Sequence, residues 1–108
     1  MAKIYNIELL PTAQAELEEI ARIHLALSGP LSASGIVDKI SGAMERLKCY
    51  PLSGQPVRDE QLRAFGYRYV LADKYMLFYR MLGDVVFIYH IAHGAVDYPK
   101  LFKNNDLL

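Results

Sequence analysis

Residues 66–102 read GYRYVLADKYMLFYRMLGDVVFIYHIAHGAVDYPKLF, an almost unbroken run of β-forming residues rich in tyrosine. Strands are expected over 67–71, 75–81 and 85–93, separated by short turns at Ala72-Asp73-Lys74 and Leu82-Gly83-Asp84. Turns this short force neighbouring strands to run antiparallel. The strands alternate poorly, because both faces of each are apolar or aromatic. A sheet with two apolar faces needs two covers. Upstream helices account for one, and the expectation is that a partner chain supplies the other.

Composition narrows the classes. The chain has 108 residues, with Lys+Arg and Asp+Glu balanced at 12 each, and reads as one domain over 1–108. A neutral balance excludes a general nucleic-acid coat, which would be strongly basic. The charges are uneven, however: Glu16, Glu18 and Glu19 crowd the first helix, while Arg63, Arg68, Lys74 and Arg80 lie on or near the strands. A hydrophobic content of 53% is high for this size and suggests apolar surface buried against another chain. The single cysteine, Cys49, excludes an intramolecular disulfide and a multi-cysteine metal site, and its place near a helix end suggests a small, half-buried hydrophobe. No leader-like run and no stretch of roughly 20 apolar residues is present, so a cytoplasmic setting is expected.

In the N-terminal half, residues 2–10 alternate, with Tyr5, Ile7 and Leu9 toward a core, and predict a strand. Pro11 suits the first position of a helix, and Ala13, Leu17, Ile20, Ala21, His24 and Leu27 recur at helical spacing. Glu18 and Arg22 are spaced for a pair on the outer side. His24 reads as a hydrogen-bonded histidine at the core edge. Ser28-Gly29-Pro30 breaks this helix, and Ala33, Ile36, Val37, Ile40, Met44 and Leu47 mark a second that ends at Tyr50-Pro51. Gly35 and Gly42 fall on one side of it, which fits either a close helix–helix approach or a loose helix. Residues 52–65 form a loop with one helical turn around 59–62. The order is β-α-α-β-β-β, an α+β fold in which a helical hairpin packs on one face of a small antiparallel sheet and the first strand joins an edge.

The strand phrase YMLFYR (75–80), the turn Gly83-Asp84 and the closing IAHGAVDYPKLF (91–102) resemble the RelE/ParE superfamily of small bacterial toxins, leaning to the ParE side. The resemblance covers nearly the whole chain. It implies a toxin of a type II toxin–antitoxin system of the plasmid-stabilisation kind, bound by a cognate antitoxin whose extended tail lies on the toxin. It implies one of two targets: RelE-like members cut ribosome-bound messenger RNA, and ParE-like members poison DNA gyrase. Neither needs a cofactor.

Metal-free RNA cleavage requires a base, a cation for the crowded phosphate, and an acid for the leaving oxygen. The candidates are Arg68 and Arg80 as a phosphate clamp, His93 as acid or base, and Tyr98 for stacking or proton donation. At the strand position where RelE-like ribonucleases carry an arginine this chain has Met76. Gyrase docking asks only for aromatic and arginine anchors, for which Tyr67, Tyr69, Phe78, Arg80 and Phe87 serve, and Tyr67, Tyr69, Met76, Phe78, Phe87 and Tyr89 are the candidate partner-binding residues. His90 and His93 differ by three along a strand and point to opposite faces, so no metal site is expected. Arg80 sits inside an aromatic strand, where an unpaired charge is costly, so a partner carboxylate, a phosphate or Asp97 is expected beside it. The rival readings are a noncatalytic interaction module or inactive toxin relative, and a homodimer that covers its own sheet.

Overall fold

The computed structural model describes residues 3–103. Its elements are β1 (Asn6–Leu9), α1 (Pro11–Ser28), α2 (Pro30–Cys49), β2 (Gln55–Pro56), α3 (Glu60–Ala64), β3 (Arg68–Ala72), β4 (Tyr75–Leu82) and β5 (Val85–His93), closed by a 3₁₀ turn at Tyr98–Phe102. The expected α+β order is present. The first strand is shorter than the sequence suggests, and residue 2 lies outside the described residues.

Both long helices begin with proline at their first position and have no side-chain cap. Gly29 joins them: its N–H caps the carbonyl of Leu25 at 3.0 Å, and its φ of 90° turns the chain straight into Pro30. A residue with a Cβ would be strained there. The strands connect through two-residue turns at Asp73-Lys74 and Gly83-Asp84, with Asp73 (φ 56°) and Gly83 (φ 62°) supplying the positive φ.

The five strands are ordered β1-β5-β4-β3-β2. β1 does join an edge, but parallel to β5 with Ile7 opposite Val86, so the sheet is mixed. One irregularity matters for the side chains. Phe78 pairs with His90 while Tyr79 pairs with Ile88, which leaves Tyr89 as an extra residue on β5. This bulge turns two consecutive side chains, Tyr89 and His90, to the same side.

Two hydrophobic clusters result. The first, between sheet and helices, contains Ile20, Ile36, Ile40, Leu47, Leu77, Tyr79, Val86, Ile88 and Ile91. The second lies on the opposite face and contains Val57, Leu62, Tyr67, Phe78, Tyr89 and Phe102. Its cover consists of α3 with its flanking loop and the 3₁₀ turn. The expectation that this face lacks an intrachain cover is therefore corrected: the chain folds two short segments back over it.

Other expectations change locally. Leu27 is 80% exposed, at the last turn of α1 beside the Asp73-Lys74 turn. Arg22 pairs with Glu19 rather than Glu18. Cys49 is exposed. A Cβ at Gly35 would meet nothing within 4 Å, and one at Gly42 would meet only the Arg46 side chain at 3.8 Å, so no close helix approach accounts for either glycine.

Candidate functional site

The second face is a small aromatic core with a polar margin. Phe78 is fully buried, with Tyr98 stacked on it at 4.9 Å and Phe102 edge-on at 5.9 Å. Tyr67 meets Phe102 at 4.7 Å and Tyr89 at 5.0 Å, both edge-on, as ring quadrupoles prefer. The Tyr98 hydroxyl accepts the Asp59 N–H at 2.9 Å, and the Asp59 carboxylate accepts the Leu62 N–H at 3.0 Å. Tyr98 thereby ties the 3₁₀ turn to the start of α3, and Asp59 satisfies one of the unpaired donors of that helix.

Where this cover stops, an open groove of about 560 Å³ remains, bounded by Arg58, Tyr69, Met76, Val96, Asp97 and Tyr98. Tyr69 and Met76 are partly exposed within it. Phe87 is also partly exposed, toward the other end of the strands. Tyr67, Phe78 and Tyr89 are buried. The six candidate anchors thus divide: Tyr69, Met76 and Phe87 offer surface to a partner, whereas Tyr67, Phe78 and Tyr89 hold the chain's own cover in place.

The two arginines lie on opposite sides of the sheet. Arg68 pairs across the ladder with Tyr79, on the helix-covered side, and donates to the carbonyls of Gly54 at 2.7 Å and Leu52 at 3.4 Å. Arg80 lies on the second face, with its guanidinium carbon 4.8 Å from the Tyr67 ring centre and 5.3 Å from that of Tyr89. It donates to the Tyr89 hydroxyl at 2.9 Å and the Phe65 carbonyl at 3.4 Å. Asp97 pairs with Lys100 instead, at 3.7 Å, and does not meet the guanidinium.

His93 is exposed, accepts the Ala95 N–H through Nδ1 at 3.1 Å, and lies edge-on to Tyr75 at 5.8 Å. Tyr75 also contacts His24, which bonds Ser32 at 3.1 Å and the Tyr75 hydroxyl at 3.0 Å. Arg68 and His93 therefore stand on the helix-covered side of the sheet, and Arg80 and Tyr98 on the other. The four groups are not gathered around one point where a phosphate could sit.

Two further constellations are invisible to sequence reasoning. β1 ends opposite Ile88, so β5 continues with an unpaired edge, and Glu16 of α1 fills that gap. Its carboxylate accepts the Ile91 N–H at 2.9 Å and meets His90 Nδ1 at 3.1 Å. His90 in turn lies edge-on to Phe102 at 4.7 Å, linking α1 to the 3₁₀ turn through one buried imidazole. The second is Tyr79, whose hydroxyl donates to the Pro51 carbonyl at 2.7 Å and accepts the Gly54 N–H at 3.0 Å. Burial raises this phenol above its ordinary 10.0, against smaller opposing effects of the Gly54 N–H and the Arg68 charge.

The family model described as the ParE toxin of the type II toxin–antitoxin system parDE matches residues 7–98. Among solved structures, the chain is similar in fold to one from the chromosomal ParDE system of P. aeruginosa. That match has 20% identity, covers 83% of this chain and 96% of that one, and has a TM-score of 0.70. It is also similar to a chain of the toxin–antitoxin complex RelBE2 from Mycobacterium tuberculosis, with 25% identity, 84% and 92% covered, and a TM-score of 0.59. No curated protein matches it in sequence. Among the described residues no helix is long and apolar enough to cross a membrane. With the family model spanning β1 through the start of the 3₁₀ turn, on a fold that ParDE and RelBE2 chains share, the chain belongs to the ParE toxin family and is a toxin of the RelE/ParE type.

Proposed function

We propose that this chain is the toxin of a toxin–antitoxin pair, neutralised by a cognate antitoxin, and that it acts by docking on DNA gyrase rather than by cutting messenger RNA. The similarity to chains from the ParDE and RelBE2 systems supports an antitoxin partner. The observation that carries the choice of target is the division of Arg68, Arg80, His93 and Tyr98 between the two sides of the sheet. General acid–base cleavage needs its groups within hydrogen-bond reach of one phosphodiester. Docking needs only exposed anchors and a groove, and Tyr69, Met76 and Phe87 supply them.

Induction of the chain alone in a bacterial host should arrest growth and produce DNA damage while transcripts stay intact, and purified chain should inhibit gyrase supercoiling. Cleaved transcripts with undamaged DNA would reverse the assignment of target. Unimpeded growth would leave a binding module without toxicity. In the docking reading, Met76→Asp weakens gyrase inhibition at least tenfold, while His93→Ala changes it less than twofold.

A further inference from the structure

Among the described residues, Arg80 carries the buried side-chain polar atom that finds no hydrogen-bond partner, its Nε. The ion pairs there join Lys3 to Asp84, Arg22 to Glu19, Lys48 to Glu45, His90 to Glu16 and Lys100 to Asp97, and none reaches Arg80. A buried guanidinium edge without a carboxylate is costly, and two tyrosine faces offset only part of that cost. Its Nη1 edge remains at the surface, in a long 3.4 Å bond to the Phe65 carbonyl.

The surroundings of that edge are apolar. By register, Arg80 faces Phe87 across the ladder and Leu82 faces Val85 on the same side of the sheet. Leu82 is 49% exposed, Phe65 is 45% exposed, and Phe87 is partly so. A second cation on this face, Arg63 of α3, has no ion pair among the described residues and donates to the carbonyls of Arg58 and Val57 at 3.1 and 3.5 Å. Of the carboxylates on this side, Asp59 caps α3 and Asp97 meets Lys100, while Glu60 in the first turn of α3 and Glu8, opposite Phe87 in the β1–β5 register, stand exposed.

We propose that Arg80 is the receptor for a carboxylate side chain on an extended segment of the antitoxin, with an adjoining apolar side chain resting on Phe65, Leu82 and Phe87. A guanidinium held against the nearly perpendicular rings of Tyr67 and Tyr89 and bonded to the Tyr89 hydroxyl presents its outer donors in a fixed direction, which suits a carboxylate and discriminates against a neutral amide. The guanidinium favours an acidic segment, and the exposed rings favour an apolar neighbour on it. The proposal rests on the antitoxin-neutralised reading only in naming the source of the segment.

The test uses the full chain labelled with ¹⁵N-arginine and follows the Arg80 Nε–H resonance, which burial protects from exchange. Titration with the blocked peptide Ac-Leu-Glu-Leu-NH₂ should shift that resonance saturably, with the glutamine counterpart binding about tenfold more weakly. Phe65→Ala should weaken the glutamate peptide severalfold without unfolding the chain. Arg80→Lys, which keeps the charge and loses the fork, should abolish the preference for glutamate, read by calorimetric titration of both peptides because the substitution removes the reporter resonance. Equal shifts with both peptides would overturn the proposal, as would a shift produced by oligouridylate and not by the glutamate peptide. Growth arrest by the intact chain, scored separately, reports on the toxin reading, so failure of one does not masquerade as failure of the other.

Discussion

The two faces of the sheet are covered in different ways. On the first, two long helices lay regular apolar stripes across the strands, and the cluster they enclose is aliphatic apart from Tyr79. On the second, α3 and the 3₁₀ turn, five residues each, close over an aromatic cluster held together by side-chain hydrogen bonds. The first face is a core and little else. The second is part core and part surface, with an open groove at one end and a half-satisfied arginine at the other. A face sealed by short segments keeps edges, and edges are where a partner can be recognised.

The comparison is broken most directly at Phe102. If the second cluster is a genuine intrachain core, Phe102→Ala destabilises the isolated chain by about 3–5 kcal/mol, as large core truncations do. An unchanged denaturation midpoint would mean that this face is closed only in a complex. On the first face, Gly54→Ala sharpens the picture, because an added Cβ would stand 2.5 Å from the Tyr79 hydroxyl and 2.6 Å from the Tyr69 carbonyl oxygen. That overpacking should cost about 1–3 kcal/mol in chemical denaturation.

Tyr79→Phe strands the Gly54 N–H and the Pro51 carbonyl and should cost a similar or smaller amount, about 1–3 kcal/mol. It also carries a pH signature. Burial raises the Tyr79 phenol above 10.0, so the fold favours its neutral form. The resulting stabilisation is complete below the unfolded-state value near 10.0 and is lost as pH rises through the higher folded-state value. Stability measured at increasing alkaline pH should fall less steeply in Tyr79→Phe than in the parent. The smallest effects are expected at α3 and α2. Asp59→Ala removes the cap of α3 and should loosen the second face by about 1 kcal/mol, seen as faster amide exchange at Leu62. Gly35→Ala, in open space on α2, should stabilise the chain by up to about 1 kcal/mol, and a loss of stability there would reveal packing that the helix surface does not show.

Much of the first face was legible in the residues. Proline at 11 and 30, the break at Gly29, and apolar spacing over 33–47 are local signals, and the helices follow them closely. The stripe failed at Leu27 because periodicity cannot tell which turn of a helix the tertiary fold leaves uncovered. The candidate site was legible as residue types and not as an arrangement. Arg68 and Arg80 look alike on strands of similar composition, yet register with Tyr79 puts one among loop carbonyls and the rings of Tyr67 and Tyr89 hold the other. The Glu16–His90 contact spans 74 positions, and no spacing rule reaches that far.

By itself, the order of amino acids determined the helical hairpin, the two tight strand turns and the α+β class, because periodicity, proline and positive-φ positions act over a few residues. Tertiary structure decided how the second face is sealed, which tyrosines are core, and which arginine keeps a buried Nε without a partner among the described residues. Those outcomes depend on one bulge at Tyr89 and on segments far along the chain folding back over the sheet. Their energies come from contacts between residues remote in sequence, and no local pattern encodes them.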